Sequence, residues 1–145
     1  MIKRERYLSK VRGFYDSTLV KILVGIRRCG KSVILRQIME ELRDRRIDES
    51  HIIYINFELI EYEELCDYKK LNAYVKEHIA DSHLYYVFLD EVQNVDKFEK
   101  VINSLRASLE NISIFMTGSN SKMLSEEIST VLSGRYVSFQ IYPLN

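Results

Sequence analysis

Residues 25–32 read Gly-Ile-Arg-Arg-Cys-Gly-Lys-Ser, which places two glycines, a lysine and a hydroxyl at the spacing G-x-x-x-x-G-K-[ST]. Glycines let a backbone turn tightly around an anion, and a helix N-terminus adds free N–H groups and a positive dipole end. Within that frame Gly25, Arg28, Cys29 and Gly30 are expected to line the phosphates of a nucleotide. Lys31 reaches the β- and γ-phosphates, and Ser32 ligates Mg²⁺. A second reactive pair closes the run Leu-Tyr-Tyr-Val-Phe-Leu-Asp-Glu at 84–91. Two acids ending an apolar strand are costly unless they meet cations or polar ligands. In this Walker B arrangement Asp90 is expected to hold Mg²⁺, commonly through water, and Glu91 to activate the attacking water as general base. Alone, either motif also reads as a turn; together they point to a nucleotide.

Two further groups have the chemistry to assist. Thr117-Gly118-Ser119-Asn120 ends an apolar run, and there Thr117 or Asn120 is placed to orient a water or sense the γ-phosphate; the same residues also suit a plain turn. Arg135, between a helical stretch and the last strand, reads either as an arginine finger reaching a neighbouring subunit's phosphate or as a surface ion pair. The finger reading predicts a homo-oligomer. Cys29 and Cys66 are too few for a disulfide framework or a metal cluster. Cys29 reads as a tolerated small residue, and His51, His78 and His83 share no ligand spacing with a Cys or carboxylate.

The elements that must carry these groups follow from hydrophobic periodicity. An apolar run at 19–24, broken only by Lys21, predicts a buried parallel strand, and Ile34, Leu35, Ile38, Met39 and Leu42 predict a helix that fades over 43–49. Strands are expected at 51–57, 84–91, 112–116 and 136–142, and helices at 68–80, after Asp96, and over 121–133. Asp96 and Glu99 form a capping-box signal, Ser125 a possible internal cap and Gly134 a helix stop. Asn56 and Glu58 either face the nucleotide or merely end their strand. Residues 1–16 predict an amphipathic helix whose basic cluster is a solvated face or a contact for DNA or an acidic partner. The alternation gives an α/β fold of three layers, a parallel sheet with helices on both faces.

Composition narrows the partners. The 145 residues, 46% hydrophobic and 29% charged, fit one ordinary globular domain, and 21 basic residues balance 21 acidic ones. No global field therefore attracts nucleic acid or an anionic membrane. No apolar run approaches the roughly 18 to 20 residues of a membrane span, and the N-terminus lacks a signal-peptide core. A reducing, cytoplasmic setting is the expectation.

Together, Gly-Ile-Arg-Arg-Cys-Gly-Lys-Ser at 25–32, Phe-Leu-Asp-Glu-Val-Gln at 88–93, Thr-Gly-Ser-Asn-Ser at 117–121 and Leu-Ser-Gly-Arg-Tyr at 132–136 resemble the bacterial and archaeal AAA-type ATPases whose C-terminal half is a domain of unknown function. The resemblance implies a core of the additional-strand, catalytic-glutamate type, with five parallel strands in the order 5-1-4-3-2. It assigns Lys31, Ser32, Asp90 and Glu91 to ATP and Mg²⁺, a sensor to 117–120, and the finger to Arg135. Residues 1–145 would be the ATPase core, with 1–18 as a leading helix; members are longer, and their helical lid and C-terminal domain, with any DNA or protein target, lie outside this sequence. The expected function is hydrolysis of MgATP to drive or switch a partner. Two other readings stay open: a non-catalytic regulatory or nucleic-acid-associated module using the basic clusters at 3–12 and 43–46, and a small-molecule kinase. The kinase needs an arginine-rich lid, and only Arg106 and Arg135 follow the third strand. No Asn-Lys-x-Asp guanine-reading sequence is present.

Overall fold

The computed structural model describes residues 4–26, 29–119, 128, 130 and 132–143. Arg28, Asn120, Ser125 and most of the helix expected at 121–133 lie outside the described residues. Five strands, β1 (Val20–Val24), β2 (Ile52–Asn56), β3 (Tyr85–Asp90), β4 (Ile112–Gly118) and β5 (Tyr136–Gln140), form one sheet in the order β2-β3-β4-β1-β5. Every pairing is parallel, so the sheet has the expected 5-1-4-3-2 order viewed from the opposite edge. The described helices are α1 (Glu5–Val11), α2 (Lys31–Asp44), α3 (Tyr68–His78) and α4 (Phe98–Ser108).

Side-chain parity explains the three layers. On one sheet face Val20, Ile22, Val87, Leu89, Ile114 and Met116 join the apolar stripes of α3 and α4. On the other, Leu23, Phe88 and Phe115 pack with α1 and α2, and the Phe88 and Phe115 rings stack at 4.6 Å. With both faces covered, β3 and β4 are buried along their whole length, as their continuous apolar sequences require. Among the described residues, no helix is long and apolar enough to cross a membrane.

The register fixes which strand ends meet. Val24 lies opposite Gly118, Leu89 opposite Met116, and Asn56 opposite Asp90, so the carboxyl ends of β1, β3 and β4 share one edge. The chain leaves β1 for the far side of the sheet and returns to β1's other flank with β5. Such reversals open a crevice at the strand ends where ligands of α/β sheets bind.

Local signals held unevenly. The Asp96/Glu99 capping box does not form: Lys97 adopts a left-handed conformation (φ 59°) as the N-cap of α4, and no side chain caps that terminus. The first helix stops at Val11 and continues as a 3₁₀ turn, Arg12–Phe14. In the two basic clusters Arg12 pairs with Glu5 and Glu41 at 2.8 Å each, and Arg43 with Glu49 at 2.7 Å. This partly neutralises both basic clusters.

Lys21 interrupts the apolar run of β1 yet is fully buried. Its Nζ donates to the Ser17 carbonyl at 2.8 Å and to Ser113 Oγ at 2.7 Å, and lies 4.6 Å from the Phe115 ring centre. Burial pulls the ammonium down to about 7, with Asp16 pulling weakly the other way. The unfolded chain keeps this proton up to a pH of about 10.4, so between those values folding releases it. Stability is therefore expected to rise with pH across that window, by at most about 1.4 kcal/mol per pH unit from this group. Denaturant titrations from pH 6 to 10 should show the rise in the native chain and not in Lys21→Met; parallel profiles would mean that Lys21 stays charged.

Candidate nucleotide site

The loop after β1 is shaped by its glycines. A Cβ at Gly25 would stand 2.6 Å from both Cys29 Sγ and the Ile141 carbonyl oxygen, and Gly30 has φ +96°. Both positions therefore demand glycine. Cys29 is buried and packs with the α1 and α2 core. Lys31 begins α2, and Gly30 is its N-cap, so the free N–H groups of the first turn belong to this loop.

Lys31 is 4% exposed. Its Nζ donates to Gly25 O at 2.6 Å, Ile26 O at 3.2 Å and Ser119 Oγ at 2.7 Å, and stands 3.3 Å from Glu91 Oε1. The two motifs, far apart in sequence, thus meet through an ion pair. Asp90 is wholly buried, which is tolerable because three hydroxyls donate to its carboxylate. Ser32 Oγ and Tyr54 Oη reach Oδ2, and Thr117 Oγ1 reaches Oδ1, each at 2.6 Å. Burial, with the Asp90 hydrogen bond second, raises the Tyr54 hydroxyl above its ordinary range and keeps it a donor.

Glu91 adopts a left-handed conformation, φ 59° and ψ 51°, an uncommon state for a non-glycine residue. Its backbone N–H is held by Thr117 Oγ1 at 2.8 Å, and its carboxylate receives Ser119 Oγ at 2.5 and 2.7 Å and Gln93 Nε2 at 2.7 Å. Burial pushes this carboxyl up, but the hydrogen bonds of Ser119 and Gln93 and the Lys31 charge outweigh it and hold Glu91 below the usual carboxylate range. Glu91 is therefore ionised at neutral pH. Gln93 Oε1 is buried with no partner among the described residues, leaving an acceptor beside the acid.

Of the residues singled out in the sequence, Gly25, Cys29, Gly30, Lys31, Ser32, Asp90, Glu91 and Thr117 converge on this edge. Thr117 binds both acids of the β3 terminus. Ser119, rather than Thr117, bridges Lys31 and Glu91. Asn56 Oδ1 caps its own turn by accepting the Glu58 N–H at 3.0 Å, so that pair ends the strand. Tyr54 and Gln93 carried no assignment from the sequence. Strand parity does place Tyr54 on the α2 face, and Gln93 lies two residues past the acids.

Arg135 sits at the opposite edge. Its carbonyl accepts the Val20 N–H at 3.1 Å, at the start of β1, so it is not part of this chain's own loop. With Arg106 it lines a cleft of about 620 Å³ beside Thr18, Asn103 and Glu110. Burial, then the nearby Arg135 charge, lowers the Arg106 guanidinium's hold on its proton. The same edge carries a cluster that sequence spacing hid. His51 Nε2 lies 3.0 Å from Asp81 Oδ2, and His83 Nδ1 lies 3.3 Å from Oδ1. The His51 hydrogen bond, with burial opposing and His83 assisting, brings Asp81 down to about 2. Two loops meet there because β2 and β3 are neighbours; the atoms already pair with one another.

Comparisons with known proteins agree with this fold. The family model described as an AAA domain matches residues 17–145. An uncharacterized protein of Haemophilus influenzae is 41% identical over the whole chain, which covers 36% of it, and one of Methanocaldococcus jannaschii is 38% identical over 87% of the chain, covering 27% of it. The chain thus spans about a third of the length of these relatives. Among solved structures, C. elegans PCH-2 superposes with a TM-score of 0.59 at 16% identity, over 93% of this chain and 39% of that one. A DNA replication initiation factor gives 0.52 at 15% identity, over 94% and 44%. At such identities these structures speak to the fold alone.

Proposed function

The chain belongs to the AAA domain family, an ATPase-type nucleotide-binding fold, and from that premise we propose that it binds MgATP at the 25–32 loop and hydrolyses it to drive or switch a partner. The observation that carries this reading is the contact between the two motifs. Ser32 meets Asp90 at 2.6 Å while Lys31 meets Glu91 at 3.3 Å, so phosphate donors, metal donors and a carboxylate base occupy one crevice.

The residues fit the chemistry. Ser32 Oγ and Asp90 Oδ2 are hard oxygen donors that meet at 2.6 Å and would hold Mg²⁺, Asp90 through water, while Thr117 and Tyr54 fix the carboxylate. Mg²⁺ bound there would neutralise charge on the β- and γ-phosphates. Lys31 exchanges its internal acceptors for phosphate oxygens, which loosens its pair with Glu91. Glu91, still oriented by Gln93 and Ser119, takes a proton from water as the water oxygen bonds to the γ-phosphorus and the bond to the bridging oxygen breaks, leaving ADP and phosphate. Arg135 acts from a neighbouring copy, and the relatives' additional length provides for an output domain that engages DNA or protein. A cytoplasmic setting accords with this use of ATP.

Titration calorimetry tests the site. ATP is expected to bind in Mg²⁺ and more weakly in EDTA, and Ser32→Ala should weaken binding in Mg²⁺ by roughly tenfold while changing it little in EDTA. Equal, metal-independent binding by both proteins would overturn the assignment of Ser32 and Asp90.

A further inference from the structure

Arg4 belongs to neither motif, yet its side chain enters the phosphate loop. It is 7% exposed. Its Nη1 donates to the Cys29 carbonyl at 2.5 Å, its Nη2 to the Tyr142 carbonyl at 2.9 Å, and its backbone N–H to Gln37 Oε1 at 3.1 Å. The guanidinium carbon lies 4.8 Å from the Tyr7 ring centre, and the Tyr7 hydroxyl receives the Tyr142 N–H at 3.0 Å. One arginine thus joins the N-terminal segment, the loop, α2 and the segment after β5. A side chain at Gly30 would strike its guanidinium, so that glycine is required by Arg4 as well as by its own φ.

Two features point beyond a structural clamp. The hydrogen-bond partners of the guanidinium among the described residues are carbonyl oxygens, and Nε is buried with none. A buried guanidinium whose hydrogen-bond partners among the described residues are all neutral carries charge that an incoming anion would compensate. The carbonyl it grips also matters. A loop that receives phosphate must turn its N–H groups inward and its carbonyls away, and Arg4 draws the Cys29 carbonyl toward itself, just before the Gly30 and Lys31 amides.

We infer that Arg4 is a positioning residue of the nucleotide site. It holds the Cys29 to Gly30 peptide in the phosphate-accepting orientation before the ligand arrives and adds positive charge beside the loop. This rests on the reading of the loop as an ATP site. Because Arg4 sets the loop for any phosphate chain and does not act in the bond-breaking step, its loss should appear in affinity rather than in turnover at saturation.

The test measures ATP and ADP dissociation constants, KM and kcat for the native chain, Arg4→Ala, Arg4→Lys and Lys31→Ala, with melting curves of each without nucleotide. Arg4→Ala is expected to weaken ATP and ADP alike by roughly 10- to 100-fold and to raise KM in step, with kcat within about threefold. Arg4→Lys keeps the charge but reaches only one carbonyl, so it should fold like the native chain and lose roughly three- to tenfold in affinity. Should Arg4→Ala not fold, Arg4→Lys alone decides. Native affinity in a folded Arg4→Lys or Arg4→Ala chain, while Lys31→Ala no longer binds, would overturn this inference and leave the nucleotide site standing. Absence of binding by the native chain would overturn both.

Discussion

Replacing Glu91 by Gln is expected to slow phosphate release from MgATP by roughly 10²- to 10⁴-fold, the span a positioned general base contributes, while ATP affinity stays within a few-fold. The amide can keep its neighbours: Ser119 and Gln93 supply hydrogen bonds at 2.5 to 2.7 Å, and a carboxamide oxygen accepts from both. What it lacks is a basic oxygen to receive the water's proton. Losing the charge also frees Lys31 from its 3.3 Å partner, so binding should hold or tighten. Equilibrium binding and steady-state phosphate release on the same preparation check the two halves separately. A fall in both would make Glu91 a structural counter-ion of Lys31.

The second large effect concerns Arg135. Arginine fingers are worth roughly 10³ to 10⁵ in rate, and Arg135→Ala is expected to lower turnover by at least the lower figure without changing affinity for ATP. The reason is positional: Arg135 lies where β5 joins the start of β1, and the loop lies at the other end of β1, so only another copy can bring the two together. Its side chain is exposed and shares a cleft with Arg106, so on the proposed reading it would be free to meet a neighbour's phosphate. Mixing Arg135→Ala with Glu91→Gln should restore activity, to roughly a quarter of the native rate for random pairing at each interface, because an intact Glu91 then meets an intact Arg135. No recovery on mixing would remove Arg135 from the site.

Much of this was legible because parallel strands buried on both faces write continuous apolar runs, and the phosphate loop fixes the strand before it and the helix after it. The five strands fell where those runs lie, and their order came with the family resemblance. The misses share one cause: they depend on what lies across the sheet. Tyr54 could be given a face but not a partner, and only the β2–β3 register sets its hydroxyl against Asp90. Thr117 read equally as a water-orienting group and as a turn residue, and only the strand register shows that its hydroxyl meets both Asp90 and Glu91. Arg4 sat in a charge run that reads as a solvated face, yet among the described members of that run it is the one that is buried. His51, Asp81 and His83 have no regular spacing because the adjacency of two strands brings them together. At Asp96 the local code itself failed, overridden by the left-handed turn at Lys97.

The central claim is that the loop at 25–32 and the acid pair at 90–91 form one hydrolytic centre, and the most direct measurement is a single-turnover time course of phosphate release from MgATP, with the native chain and Glu91→Gln in excess over nucleotide. Native protein should release phosphate, and Glu91→Gln should retain bound ATP over the same period. Equal release by both, or none from native protein that has bound ATP, would contradict it.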